Sequence, residues 1–313
     1  MKSRPVLMNV AQLALMGAVL SAFLSCNRAA PSGDRTFASP EDAVRALIET
    51  AKAGALEEVV AIFGPDGQGL VDSSDPATAR RNRQVFTVAA AERWELVDQG
   101  NAGKVLVIGN ERWPFPVPLA RDASGWRFDT AAGKEEVIAR RIGRNELAVI
   151  RICRTYVVAQ RLYARNGHDG KPPGLYATTF RSDPGRQNGL YWPAQRGQRR
   201  SPLGDLIAQA AEEGRASAPN RQQGSPFRGY YFKILRAQGS AATGGAKDYV
   251  VNGEMSGGFA LVAWPAHYDA SGVMTFVVNQ DGIVREKDLG TRTDEVVRAM
   301  TLYDPDGSWE IVR

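Results

Sequence analysis

From Ser39 onward the apolar positions fall first into a helical period. Ser39 stands where a helix cap is expected, Pro40 at the first helical position, and Glu41 and Asp42 in the first turn. Val44, Leu47, Ile48 and Ala51 then repeat at helical spacing until Gly54. The same logic predicts a short helix over LEEVVAIF, ended by Gly64 and Pro65, and a third from Pro76 to about Arg93. The period then shortens. WELVD, KVLVIG, FPVPLA and GWRFDT read as short strands separated by QGNAG, NERWP and RDASG, which are turn compositions.

A second cycle follows. The longest helical signal runs from Lys134 to Arg165, with room for a break at Gly143 because Asn145 can cap a new start. Leu147, Val149, Ile150, Ile152, Cys153, Tyr156, Val157 and Tyr163 form a broad apolar face, and Arg144, Arg151, Arg154, Arg161 and Arg165 recur on the other. Beyond RNGHDGKPPG and PAQRGQRRSP, which are loop compositions, PLGDLIAQAAEEG predicts a short helix and RGYYFKILRA a strand. FALVAWPAHY is apolar on both sides, as in a strand covered on one face and partly on the other, and Pro265 points to an edge or a bulge. GVMTFVVN and IVREKDL flank Gln280, Asp281 and Gly282, which predicts a tight hairpin with Asp281 as a turn former. A last helix, EVVRAMTLY, and a strand, WEIV, close the chain.

Length and composition make this picture one of two soluble domains. The 313 residues exceed the ~250 at which single cores usually stop growing. Apolar content of 43% and charged content of 23% exclude a polytopic membrane protein and a disordered chain. The first residues differ from the rest. Lys2 and Arg4 precede VLMNVAQLALMGAVLSAFLS, an acid-free apolar segment ending beside Cys26, which is the layout of a secretory signal. Asn9 and Gln12 interrupt it, so its unbroken part is shorter than the ~20 residues of a bilayer span. Residues 1–25 are therefore expected to be a signal peptide. The spacing to Cys26 resembles a bacterial lipoprotein signal, which makes Cys26 a candidate for lipid attachment, with simple secretion as the other outcome. Residues 26–36 read as a Pro/Gly/Ser tether. Loss of Lys2 and Arg4 takes the formal excess charge from +5 to +3, too little to indicate nucleic acid.

Candidate chemistry is sparse. His168 lies in a Gly/Pro loop and His267 beside a turn, and Ser256 in GEMSGG lacks the G-x-S-x-G spacing of a nucleophile elbow. HExxH, paired CxxC and EF-hand patterns are missing from the sequence, and the oxygen-rich NGHDGKPPG contributes only Asp169 as a carboxylate, so no metal or cofactor is expected. Cys153, alone on a helical apolar face, reads as a small buried hydrophobe. Glu57/Glu58, Glu135/Glu136 and Glu212/Glu213 are sequence neighbours on helices and cannot converge. What remains is the stripe of Arg144, Arg151, Arg154, Arg161 and Arg165, together with RGQRR, whose guanidinium forks suit carboxylate or phosphate.

Several segments carry a family likeness. SPFRGYYFKILRAQG, DYVVNGEMSGGFALVAWPAHYDASGVMTFVVNQDG and RRIGRNELAVIRICRTYVVAQRLYA, with NGLYWPA and RWPFPVPL, resemble DUF2950, a bacterial envelope family of unknown function, over most of the chain after Phe37. The resemblance implies export and, often, lipoprotein character, but no activity. The first half is similar in layout to the cone-shaped nuclear transport factor 2 and cystatin folds. The second half is similar to pilin-like and pseudopilin domains, which implies a long helix laid on an antiparallel sheet. A whole domain precedes the helix here, so that likeness extends to the fold and not to filament assembly. The expectation is an α+β protein with an N-terminal domain over residues 37–131 and a pilin-like domain over residues 132–313. Its expected role is that of an exported, non-catalytic binding or assembly module in the periplasm or anchored at a membrane. The partner would be an envelope protein or an anionic lipid or glycan. A periplasmic hydrolase with an unrecognised site is the alternative.

Overall fold

A computed structural model describes residues 35–71, 76–100, 103–193, 200–203 and 226–313. Cys26, the tether up to Asp34 and, from residue 204 on, the helix expected over PLGDLIAQAAEEG lie outside them. The architecture is α+β, and the chain divides into two compact units between Arg141 and Ile142.

In the first unit, α1 (Pro40–Ala53) is capped as its sequence prescribes: the Ser39 side chain accepts from the Asp42 amide, and Gly54 closes the helix in the left-handed region at φ 73°. Helices α2 (Leu56–Phe63), α3 (Gln68–Val71) and α4 (Pro76–Glu92) follow. The antiparallel sheet runs in the order β1 (Trp94–Gln99), β2 (Gly103–Ile108), β4 (Leu119–Asp122), β5 (Gly125–Phe128), with β3 (Trp113–Pro114) paired to β2. FPVPLA is a strand only from Leu119, since Pro116 and Pro118 have no amide hydrogen to give to a ladder. Phe63, Phe86, Phe115 and Phe128 fill the core between helices and sheet, with Phe63 and Phe128 edge to face at 5.1 Å.

Helix α5 (Thr130–Asn166) begins earlier than the sequence pattern suggests and is unbroken. Asp129 accepts from the Ala132 amide at 3.1 Å and so caps it. Gly133 is tolerated in the first turns because a Cβ there would stand 2.8 Å from Val117. Gly143 brings no break. The Asn145 side chain, expected to cap a new start, lies inside the helix, where its Nδ2 donates to the Ser271 carbonyl at 2.8 Å.

The second unit is built on an antiparallel sheet in the order β14 (Glu310–Ile311), β13 (Arg285–Asp288), β12 (Met274–Asn279), β11 (Ala260–Pro265), β6 (Tyr230–Leu235). Short pairs β7 (Ala237–Gln238) with β8 (Lys247–Asp248), and β9 (Val250–Val251) with β10 (Glu254–Met255), lie between β6 and β11 in sequence. All six residues of β11 are buried, which corrects the expectation of a partly open face. Alternation explains it. On one face Tyr230 and Phe276 pack in the core that also holds Val149, Cys153, Tyr156 and Val157 of α5. On the other, the Trp264 indole donates to Asp294 of α6 (Thr293–Ala299) at 3.0 Å. Pro265 ends a central strand and not an edge strand. Pairing with β12 stops at Ala263 opposite Phe276, so Pro265 faces no partner on that side and its missing donor is harmless. The hairpin from β12 to β13 turns where expected, with Gly282 at φ 83° and the Asn279 side chain accepting from the Asp281 amide at 3.1 Å. Helix α6 is shorter than EVVRAMTLY, because Met300 is extended and the Tyr303 amide donates to Ala237 at 2.9 Å.

Candidate functional site

Three places in the second unit gather chemistry. The first is the outer face of α5. Arg151, Arg154, Arg161 and Arg165 are exposed there, while Arg144 is half-buried. Val158 and Leu162, one turn apart and 51% and 41% exposed, stand among the arginines. Arg161 is already engaged, its guanidinium donating to the Gln280 carbonyl at 2.8 Å. Arg151, Arg154 and Arg165 have no ion pair among the described residues. The face is thus cationic with an apolar centre. Of the RGQRR segment only Arg200 is described, and it is exposed.

The second is a cleft of about 280 Å³ bounded by the end of α5, the 167–188 segment and β10. The segment has no regular secondary structure over residues 167–180, as the composition of RNGHDGKPPG predicts. His168 is 7% exposed, stacked on Tyr163 at 4.1 Å and tilted against Trp192 at 5.3 Å. Its Nε2 lies 3.0 Å from the Tyr163 carbonyl, which can only accept, so Nε2 carries the hydrogen. Asp169, at φ 51°, takes the Gln187 amide at 3.0 Å and Arg186 Nε at 3.2 Å. It is a turn residue held by an ion pair. Lys171 bridges both oxygens of Glu254 at 2.7 and 2.9 Å. Asp183 and Asn188 bond each other twice, amide to side chain at 2.9 Å and side chain to side chain at 2.7 Å. The Gly174 amide reaches the Ala164 carbonyl at 2.7 Å, and the Lys171 amide the His168 carbonyl at 2.9 Å, so the loop is tied across its base.

The third is the turn at His267. Its imidazole is exposed, and the nearby Ser271 Oγ takes the His267 amide at 3.0 Å and lies 2.8 Å from the Gly229 carbonyl. Serine and histidine meet here through backbone, and the hydroxyl is spent on closing the turn. Ser256 is exposed between β10 and β11. Cys153 is fully buried, and burial pushes its thiol up to about 12. No group of three or more His, Cys, Asp or Glu side chains among the described residues is placed to hold a metal ion.

Two polar residues missed by the pattern organise the inner face of α5. Glu146 Oε1 accepts from the Val273 and Met274 amides at 2.8 and 2.9 Å, and lies beneath the Tyr230 hydroxyl. Burial first, and the Glu146 carboxylate second, raise the Tyr230 phenol far above its ordinary range. Gln160, wholly buried, exchanges two hydrogen bonds with Ala177, each at 2.8 Å, and also donates to Tyr156. The available signal was their position. Residues 146, 149, 153, 156 and 160 lie on one helical face, so a carboxylate and an amide inside an apolar stripe call for buried partners.

A family model described as a protein of unknown function (DUF2950) matches residues 34–312, and the chain belongs to that family. No curated protein and no solved structure matches it.

Proposed function

We propose that this DUF2950 protein is an exported cell-envelope module that works by binding, with the outer face of α5 seated on an anionic lipid surface. The observation that carries the reading is the composition of that face: exposed Arg151, Arg154 and Arg165 surrounding exposed Val158 and Leu162. Guanidinium groups suit phosphate headgroups, and a small apolar centre can enter the interface that the charges approach. The apolar segment before Cys26 supports export, and a lipid on Cys26 would add a second attachment, since one weak membrane signal gives only reversible binding. Among the described residues no helix is long and apolar enough to cross a membrane. The cleft and the His267 turn support binding over turnover, because their acids, cations and serine are engaged in structural pairs.

The test is cosedimentation of the chain with vesicles of phosphatidylglycerol or of phosphatidylcholine. Arg151→Gln, Arg154→Gln and Arg165→Gln together should weaken binding to the anionic vesicles by up to about a hundredfold at low salt, at roughly 1 kcal/mol per basic residue near the surface. Added salt should reduce parent binding in the same direction. Equal binding of parent and variant removes the reading. A turnover abolished by His267→Ala would put a hydrolase in its place.

A further inference from the structure

We propose that the cleft beside His168 is a binding site for an uncharged saccharide. Its volume of about 280 Å³ lies just under the ~300 Å³ at which small-molecule sites usually begin, so it has room for a small ring and not for an extended chain. Both cations of the wall are paired, Arg186 with Asp169 and Lys171 with Glu254, so an anionic ligand gains an interaction only by breaking one already made, while the third carboxylate, Asp183, is tied to the Asn188 amide. A hydroxyl-rich neutral ligand breaks none.

The groups left over suit hydroxyls, which donate and accept at once. Thr178 and Tyr176 line the cleft, and their hydroxyls have no hydrogen-bond partner among the described residues. Asp183 is engaged through Oδ2 only, so Oδ1 is an acceptor. Nε2 of His168 is spent on the Tyr163 carbonyl, which leaves Nδ1 as the ring nitrogen open to a ligand. Tyr176 adds an aromatic surface held edge-on against Phe259 at 4.8 Å, and aromatic rings pack well on the C–H face of a sugar. The site is preorganised. Gly167, at φ 62°, sits so close that a Cβ would come within 2.6 Å of the Lys171 carbonyl, which leaves the loop little room to rearrange.

Saturation-transfer NMR on the full chain, with glucose, N-acetylglucosamine and diacetylchitobiose as separate millimolar probes, tests this. At least one should receive saturation, and Thr178→Val with Tyr176→Phe should weaken it by roughly tenfold, as expected for the loss of one or two hydrogen-bonding groups. Neither hydroxyl has a hydrogen-bond partner among the described residues to lose, and an unchanged amide spectrum outside the cleft checks that the variant folds. Sedimentation with insoluble cell-wall glycan separates a polymer-bound sugar from a free one, either of which supports the site. No transfer from any probe overturns it, as does transfer unchanged in the variant. Calcium shifting the cleft amides while all three sugars leave them unmoved would make the carboxylates a cation site and overturn it too. The arginine variant should bind sugar like the parent, so failure of lipid binding and failure of this site are told apart.

Discussion

Glu146 shows how one side chain can hold a helix to a sheet. Its Oε1 takes two consecutive backbone amides, Val273 and Met274, at the point where β12 begins. Removing an acceptor leaves its donors partly buried and unpaired, which costs more than the hydrogen bond contributes when made. Glu146→Ala should lower stability by about 1–3 kcal/mol in urea unfolding, whereas Glu146→Gln should recover most of it, because an amide oxygen also accepts. Equal damage by both would mean that the charge, and not the oxygen's position, matters. Thr275 is the opposite case. Its hydroxyl is buried with no hydrogen-bond partner, so Thr275→Val replaces an orphaned polar atom by a methyl group of the same shape. The expected result is a rise in stability of up to about 1 kcal/mol, read as a higher unfolding midpoint. A fall would show that the hydroxyl is satisfied in solution.

Among elements, α6 has an attachment that should answer to pH. Asp294 is held below the ordinary carboxylate range first by Arg298 and then by the Trp264 indole. A carboxyl depressed in the folded state contributes stability above its unfolded value near ~3.9 and loses that contribution as pH falls through the lower folded value. Acid titration of tryptophan fluorescence should therefore show a step below about pH 4 that Asp294→Asn removes. A step that survives the substitution belongs to another group. The elements themselves were largely legible. Ser39, Pro40 and Gly54 bounded α1, and Asp281 with Gly282 marked the hairpin, because caps and tight turns depend on neighbours in sequence. What escaped depended on distant partners. Gly143 predicts a break that the helix does not make, and the neighbouring Asn145 is engaged with Ser271, 126 positions away. EVVRAMTLY kept helical spacing to its end, yet Tyr303 pairs with Ala237 instead. The arginine face could be read from spacing alone, but the cleft could not: its walls join Asp169 to Arg186 and Lys171 to Glu254 across loops with no period.

At the scale of the whole chain the two hydrophobic cores share no residue. One is built from Ala43 to Phe128 with Val137 packed against it, the other from Val149 to Trp309. The boundary expected between residues 131 and 132 and the division between Arg141 and Ile142 both fall within α5, so the helix belongs to both units in sequence while its apolar residues are shared out between them. A chain that encloses its own core can fold alone when the cut removes none of that core. A fragment from Ile142 to Arg313 keeps every buried apolar residue of the second core, and it also keeps Asn145 and Glu146, which fasten α5 to the sheet. It should therefore be soluble and unfold in one cooperative transition, with the same midpoint by circular dichroism and by tryptophan fluorescence. Starting the fragment at Leu147 deletes both fastenings while sparing the core, and should lower that midpoint. If the longer fragment is soluble only when joined to the first half, the second core does not stand by itself and the two units fold as one.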